Sequence, residues 1–227
     1  MEYYVGELDL ERYSFTYQTA GTVDHSRHFY ATNVLFDGGG RALAWGALVG
    51  FTGTRGWNGC VSLPRELSLG PRGELIQHPA AELRTLRGDR LDIHHDVADG
   101  AVEIGDVEEG QALEIAADLR HGTNAVFGLR IAHRHGVLDI ELAPPAFRLG
   151  DFSAPLARKG AGTALALFID RTVVEIFING TACAARVIPL VSGPVSISLY
   201  SHGDGKTSAR GSVWRLRADS LFTRWRG

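Results

Sequence analysis

The sequence has little of what marks most specialised functions. It holds two cysteines, Cys60 and Cys183, far apart and without metal-ligand spacing. Neither a disulfide framework nor a zinc set is expected, and each is read as a buried free thiol. Basic residues (23) do not outnumber acidic ones (26). A formal charge of -3 and a pI near 6.3 leave no basic footprint for a phosphate backbone, so nucleic acid is not an expected partner. No apolar run is long enough to cross a bilayer, and no membrane partner is expected. The opening MEYYVGELDL carries Glu2, Glu7 and Asp9 and no apolar core segment, so it is not expected to act as a secretory signal. The compartment stays open. Helical periodicity is almost missing as well.

What is present is an ordinary globular balance, 44% hydrophobic and 22% charged over 227 residues, with 28 glycines punctuating short apolar stretches. That is enough chain for one large all-β domain or for a smaller piece joined to a sandwich. Tight turns between many strands need positive backbone angles, which glycine supplies. Val195 to Tyr200 alternates apolar and polar side chains, as a half-buried strand requires. Ala164 to Ile169 is more continuously apolar and should lie deeper. Thr172 to Ile178, Asn179-Gly180 and Ala182 to Ile188 read as a hairpin on a type I′ turn. A second hairpin is expected between His28 to Phe36 and Ala42 to Val49, turned by Asp37 and Gly38-Gly39-Gly40. The one helix-like piece, Ala80 to Arg87, follows Pro79 and puts Leu83 and Leu86 on one face. Before this junction the strands suggest one sheet. After it, about a dozen short strands suggest a two-layer antiparallel sandwich. No low-complexity tract separates the two, so a packed junction is expected.

Several segments, in order, resemble the end of glycoside hydrolase family 32, the invertases, levanases and inulinases. Tyr4-Val5-Gly6-Glu7-Leu8-Asp9, Asp24-His25-Ser26-Arg27-His28-Phe29-Tyr30-Ala31 and Arg41 to Gly46 are similar to successive stretches of that family. The most specific are Gly56-Trp57-Asn58-Gly59-Cys60-Val61-Ser62-Leu63-Pro64-Arg65-Glu66-Leu67 and the linker Pro79 to Arg87. Further on, Asp170-Arg171-Thr172-Val173-Val174-Glu175-Ile176-Phe177 resembles the family's Asp-Arg-Ser-x-x-Glu-x-Phe element. The resemblance implies an all-β chain. Residues 1–78 would form the remnant last blade of a five-bladed β-propeller, 79–88 a short helical linker and 89–227 an antiparallel β-sandwich.

Hydrolysis of a glycoside with retention needs a nucleophilic carboxylate and a proton-donating carboxyl, roughly 5 to 5.5 Å apart. The family takes these from Asn-Asp-Pro-Asn and Glu-Cys segments and adds an Arg-Asp-Pro aspartate; none of the three motifs occurs in this chain. The resemblance therefore implies the carboxyl-terminal portion of a fructosyl-bond hydrolase, inactive alone, with a fructan or sucrose-type carbohydrate as substrate when complete. A missing amino-terminal portion or a second copy is its expected partner. The alternative is a non-catalytic carbohydrate-binding or self-associating module. No catalytic residue, metal or cofactor is assigned. Asp9, Arg12 and Asp24 are expected near the sugar pocket, where carboxylate and guanidinium groups orient hydroxyls. Their plainer roles are a surface pair near a strand end for Asp9 and Arg12, and a turn-stabilising side chain for Asp24.

Other features read structurally. Trp45 sits in a strand pattern and is expected in the core, whereas Trp57 is undecided between packing and sugar stacking. His94-His95 and His133-Arg134-His135 lack a third metal ligand at useful spacing and read as solvated histidines. Gly203-Asp204-Gly205-Lys206 reads as a hairpin turn, and the Asn179-Gly180-Thr181 sequon is accounted for by its hairpin.

Overall fold

The computed structural model describes residues 1–52, 57–108, 112–122, 125–157, 162–203 and 206–217. Gly56, Asp204-Gly205 of the expected turn and residues 218–227 lie outside them. The glycine-punctuated stretches are strands, and every pairing between them is antiparallel.

Strands β1 (Glu2–Asp9) and β2 (Ser14–Thr22) form a two-stranded hairpin. Strands β3 (Phe29–Phe36), β4 (Ala42–Val49), β5 (Gly59–Val61), β6 (Arg65–Leu69) and β7 (Leu75–Pro79) form a second sheet. Its order is β3-β4-β6-β7, with β5 also on β4. The remaining strands are β8 (Arg87–Val97), β9 (Gly100–Val107), β10 (Ala112–Arg120), β11 (Val126–His133), β12 (Gly136–Ala143), β13 (Ala146–Leu149), β14 (Phe152–Pro155), β15 (Gly162–Asp170), β16 (Val173–Ile178), β17 (Ala182–Val187), β18 (Val195–His202) and β19 (Thr207–Leu216). They build two six-stranded sheets, β17-β16-β15-β10-β19-β8 and β14-β13-β12-β11-β18-β9.

Strand alternation decides where the core sits. Ile115, Leu119, Leu167 and Ile176 from the first large sheet and Leu129, Ile131, Ile140 and Leu199 from the second are fully buried in one cluster. Each such side chain contributes roughly 1.5–3 kcal/mol on burial. The expected strand at Val195 to Tyr200 supplies Val195, Ile197 and Leu199 to this core while Ser196 and Ser198 stay half-buried on the other face.

Both expected hairpins form. Asn179 (φ 54) and Gly180 (φ 67) take the left-handed angles of the turn between β16 and β17. Asp37 Oδ1 accepts the Gly39 and Arg41 N–H groups, each at 2.9 Å, and holds the turn between β3 and β4. The expected helical piece is a short 3₁₀ helix, Ala81–Leu86, that ends as Arg87 extends into β8; the expectations for Trp45 and Cys60 are corrected. Six residues are too few for an α-helix to repay its nucleation. Leu83 packs against the buried cluster of Phe168, Phe177 and Cys183. Trp45 is half-buried, on the opposite face of β4 from the buried Ala44, Gly46 and Leu48. The Phe29 ring selects that inner face by lying over Gly46, where a Cβ would be 2.4 Å from Phe29 Cζ. Cys183 is buried as expected, but Cys60 is exposed, because β5 is a three-residue strand with all its residues outside the core.

Candidate functional site

The three residues expected near a sugar are split between two places. Asp9 and Arg12 stand at the tip of the β1–β2 hairpin. Asp9 Oδ1 accepts the N–H groups of Glu11 (2.9 Å) and Arg12 (3.0 Å), which closes the turn locally. The Arg12 Nε lies 3.9 Å from Asp9 Oδ2, with the side chains 84% and 41% exposed. Such a pair contributes about 0–1 kcal/mol, so both groups remain available to an external hydroxyl. Around them the hairpin exposes Tyr4, Leu8, Leu10, Tyr13, Phe15 and Tyr17. Among the described residues, β1 and β2 pair only with each other.

Asp24 lies past the other end of β2, whose nine residues span about 30 Å at about 3.3 Å per residue. It is buried, and its segment does a different job. Residues 24–28 run along the outer edge of β17. The His25 N–H donates to Cys183 O (2.9 Å), Ser26 Oγ to Ala185 O (2.5 Å), the Ala185 N–H to Asp24 Oδ1 (3.2 Å) and the Val187 N–H to His28 Nδ1 (2.8 Å). Residues 183, 185 and 187 alternate along β17, so this segment satisfies the outward backbone groups of an edge strand. The Ser26 N–H also donates to Asp24 Oδ1 at 2.9 Å, the turn role its residue type suggests.

The other Asp24 oxygen reaches a buried cation. Arg65 Nη2 is 2.8 Å from Asp24 Oδ2 and 3.2 Å from Glu175 Oε2, and Nη1 is 3.3 Å from Gln77 Oε1. The guanidinium lies over the Phe29 ring, 4.2 Å from its centroid, and 5.3 Å from that of Phe177. Glu175 Oε1 accepts the Leu63 N–H at 2.6 Å. Burial pushes the Glu175 carboxyl up to about 7, against the pull of Arg65, and pushes the Cys183 thiol up to about 12. Burial also lowers the imidazoles of His25 and His28 below their ordinary value. Arg65 Nε is buried with no hydrogen-bond partner, a cost of about 1–3 kcal/mol carried inside the cluster.

This cluster pairs two carboxylates, but with side chains no more than 4% exposed they cannot meet a substrate. What they do is join β6 and the segment after β2 to β16. Sequence reasoning assigned no role to Arg65 or Glu175, though both lie in the quoted segments. The signal was there in Val173-Val174-Glu175-Ile176-Phe177, since a carboxylate inside an apolar run needs a partner. The doubtful Trp57 is about half exposed and packs edge-on to Phe51, with ring centroids 4.9 Å apart. His133 and His135 sit 6.5 Å apart, and no group of three His, Cys, Asp or Glu able to hold a metal occurs among the described residues.

Sheet order and residue pattern define an all-β protein. Residues 1–79 match the model described as the glycosyl hydrolases family 32 N-terminal domain. A levanase of Bacillus subtilis (strain 168) is 30% identical over 178 residues, 67% of this chain and 26% of that protein. A sucrose-6-phosphate hydrolase of Vibrio alginolyticus is 31% identical over 190 residues, 78% of this chain and 38% of that protein. Among solved structures, the exo-inulinase of Aspergillus awamori superposes with a TM-score of 0.75 at 18% identity, covering 94% of this chain and 49% of that one. A Bombyx mori GH32 beta-fructofuranosidase superposes with a TM-score of 0.69 at 22% identity, covering 95% and 47%. The chain belongs to glycoside hydrolase family 32. It spans less than half the length of these relatives.

Proposed function

We propose that this chain is the carboxyl-terminal portion of a β-fructosidase, without hydrolytic activity by itself, that completes a fructosyl-bond hydrolase when joined by an amino-terminal portion. In this reading residues 1–78 are the remnant last blade of a propeller, 79–88 the linker and 89–227 the appended sandwich. The observation that carries it is the asymmetry of coverage: 94–95% of this chain superposes on the inulinase and the fructofuranosidase, but 47–49% of theirs is matched. The chemistry agrees with this. Retaining hydrolysis needs two carboxyl groups facing the sugar about 5–5.5 Å apart, and the carboxylate pair joined through Arg65 is sealed from solvent. In this reading the exposed Asp9 and Arg12 at the hairpin tip orient a sugar hydroxyl, while Asp24 serves the junction.

The exposed aromatic hairpin favours a second reading, a carbohydrate-binding or self-associating module, because unpaired strand edges and apolar side chains seek partners. Co-expression with an amino-terminal portion carrying the three acidic motifs separates the two. Fructose release from sucrose, levan or inulin by the pair, and none by the chain alone, is expected. Inactivity of a properly assembled pair, together with levan binding or oligomers of the chain alone by light scattering, selects the second reading. Enzyme-like fructose release by the purified chain overturns both.

A further inference from the structure

The junction holds two carboxylates on one cation. Asp24 Oδ2 and Glu175 Oε2 both lie within hydrogen-bond distance of the same atom, Arg65 Nη2, and all three side chains are at most 4% exposed. Fully ionised, the set carries one uncompensated negative charge where water does not reach, which strongly favours retention of a proton. The other titratable groups around it do not cancel that charge. Cys183 on β17 is a thiol raised by burial and nearby carboxylates, the more exposed Cys60 on β5 is raised by its partial burial and by Glu175 and Asp170, and His25 and His28 beside Asp24 are biased to the neutral form by burial.

We propose that Asp24, Arg65 and Glu175 form a proton-operated latch. With one proton on the carboxylate pair, the amino-terminal sheet is fastened to β16 and β17; release of that proton to solvent loosens the fastening. The two carboxylates are not equivalent. Asp24 accepts two backbone N–H groups and has the shorter contact to Arg65. Glu175 accepts one backbone N–H and has the longer contact, so it holds the proton. The inference does not depend on the fructosidase reading.

The direction of the pH effect follows. The folded chain holds a proton up to about pH 7 that the unfolded chain, with glutamate at its ordinary 4.5, releases earlier. Stability from this group is full below the unfolded value and falls as pH rises from 4.5 to about 7. Buried histidines act in the opposite direction, since a lowered imidazole pKa costs stability as pH falls.

The test is a titration of glutamate side-chain carboxyls by carbon NMR on the whole chain, beside Glu175→Gln. One carboxyl titrating near 7 in the wild type and missing from Glu175→Gln is expected. The advantage of wild type over the variant in urea should also shrink between about pH 5 and about pH 8, and protection of the Leu63 and Ala185 amides should fall in the wild type alone. Every glutamate titrating in the ordinary range, or equal pH dependence in both proteins, overturns the latch. Should Glu175→Gln not fold, Asp24→Asn replaces it. Removing the competing charge must then bring the Glu175 midpoint down toward the ordinary range, and an unmoved midpoint overturns the proposal.

Discussion

The two large sheets and the amino-terminal region are both antiparallel β-structure, yet they are stabilised in different ways. The sheets formed by β8–β19 enclose one continuous cluster from Ile93 to Val213, fed by the inward face of nearly every strand. The amino-terminal sheet contributes Phe29 and Leu48 to a separate small cluster whose third buried member, Ala185, comes from β17. What that region has in place of a core is the junction: Arg65 between two carboxylates, and residues 24–28 along the β17 edge. A sheet with its own core can lose a neighbour and persist. One whose interior is largely its contact with that neighbour cannot, because apolar burial offsets the conformational entropy of ordering the chain.

The most severe way to break this comparison is to cut the chain at the 3₁₀ turn. Residues 87–227 expressed alone should keep a cooperative unfolding transition and dispersed amide signals. Residues 1–86 alone should show neither, since a two-stranded hairpin is marginal in water and the second sheet loses Ala185, Glu175 and the β17 edge. A folded, cooperatively melting amino-terminal piece would end the distinction drawn between the regions.

A milder cut removes the cation. Arg65→Ala leaves Asp24 and Glu175 buried without a counter-charge, and should lower the stability of the whole chain by about 3–5 kcal/mol in urea at neutral pH. The loss should shrink on acidification as the carboxyls protonate. A loss under about 1 kcal/mol would mean that the junction is held by its backbone hydrogen bonds and by Phe29 and Phe177.

The same contrast governs how much could be read in advance. Strand periodicity and turn chemistry exposed the β16–β17 and β3–β4 hairpins, because period-two burial and left-handed turn residues are local properties of sequence. The face of β4 was not local. Which of Trp45 and Ala44 points inward depends on Phe29 lying over Gly46, and on Ala185 of β17 packing with Phe29 and Leu48 on that same face. The junction cluster was harder still, since Asp24, Arg65 and Glu175 are brought together from positions more than forty residues apart by pairing that no window of sequence contains. Motif resemblance pointed to all three segments, but it suggested a sugar for Asp24 where the fold supplies an arginine.

The smallest expected effect gives the sharpest comparison, because one chemical change can be made at both ends of β2. Asp9→Asn retains the side-chain oxygen that accepts the Glu11 and Arg12 amides and loses a charge that water already solvates. Its effect on stability should stay within about 0.5 kcal/mol. Asp24→Asn keeps acceptors for Ser26 and Ala185 but turns an amide N–H toward Arg65 Nη2, donor against donor, in a site without water. That change should cost about 1–3 kcal/mol. If the proposed pairing with an amino-terminal portion holds, the order should invert in that assembly: Asp9→Asn should weaken fructan binding with stability intact, while Asp24→Asn should leave affinity near wild type wherever the chain remains folded. Equal stability costs at the two ends would place Asp9 in the same structural role as Asp24, and would remove the hairpin tip as the sugar-facing end.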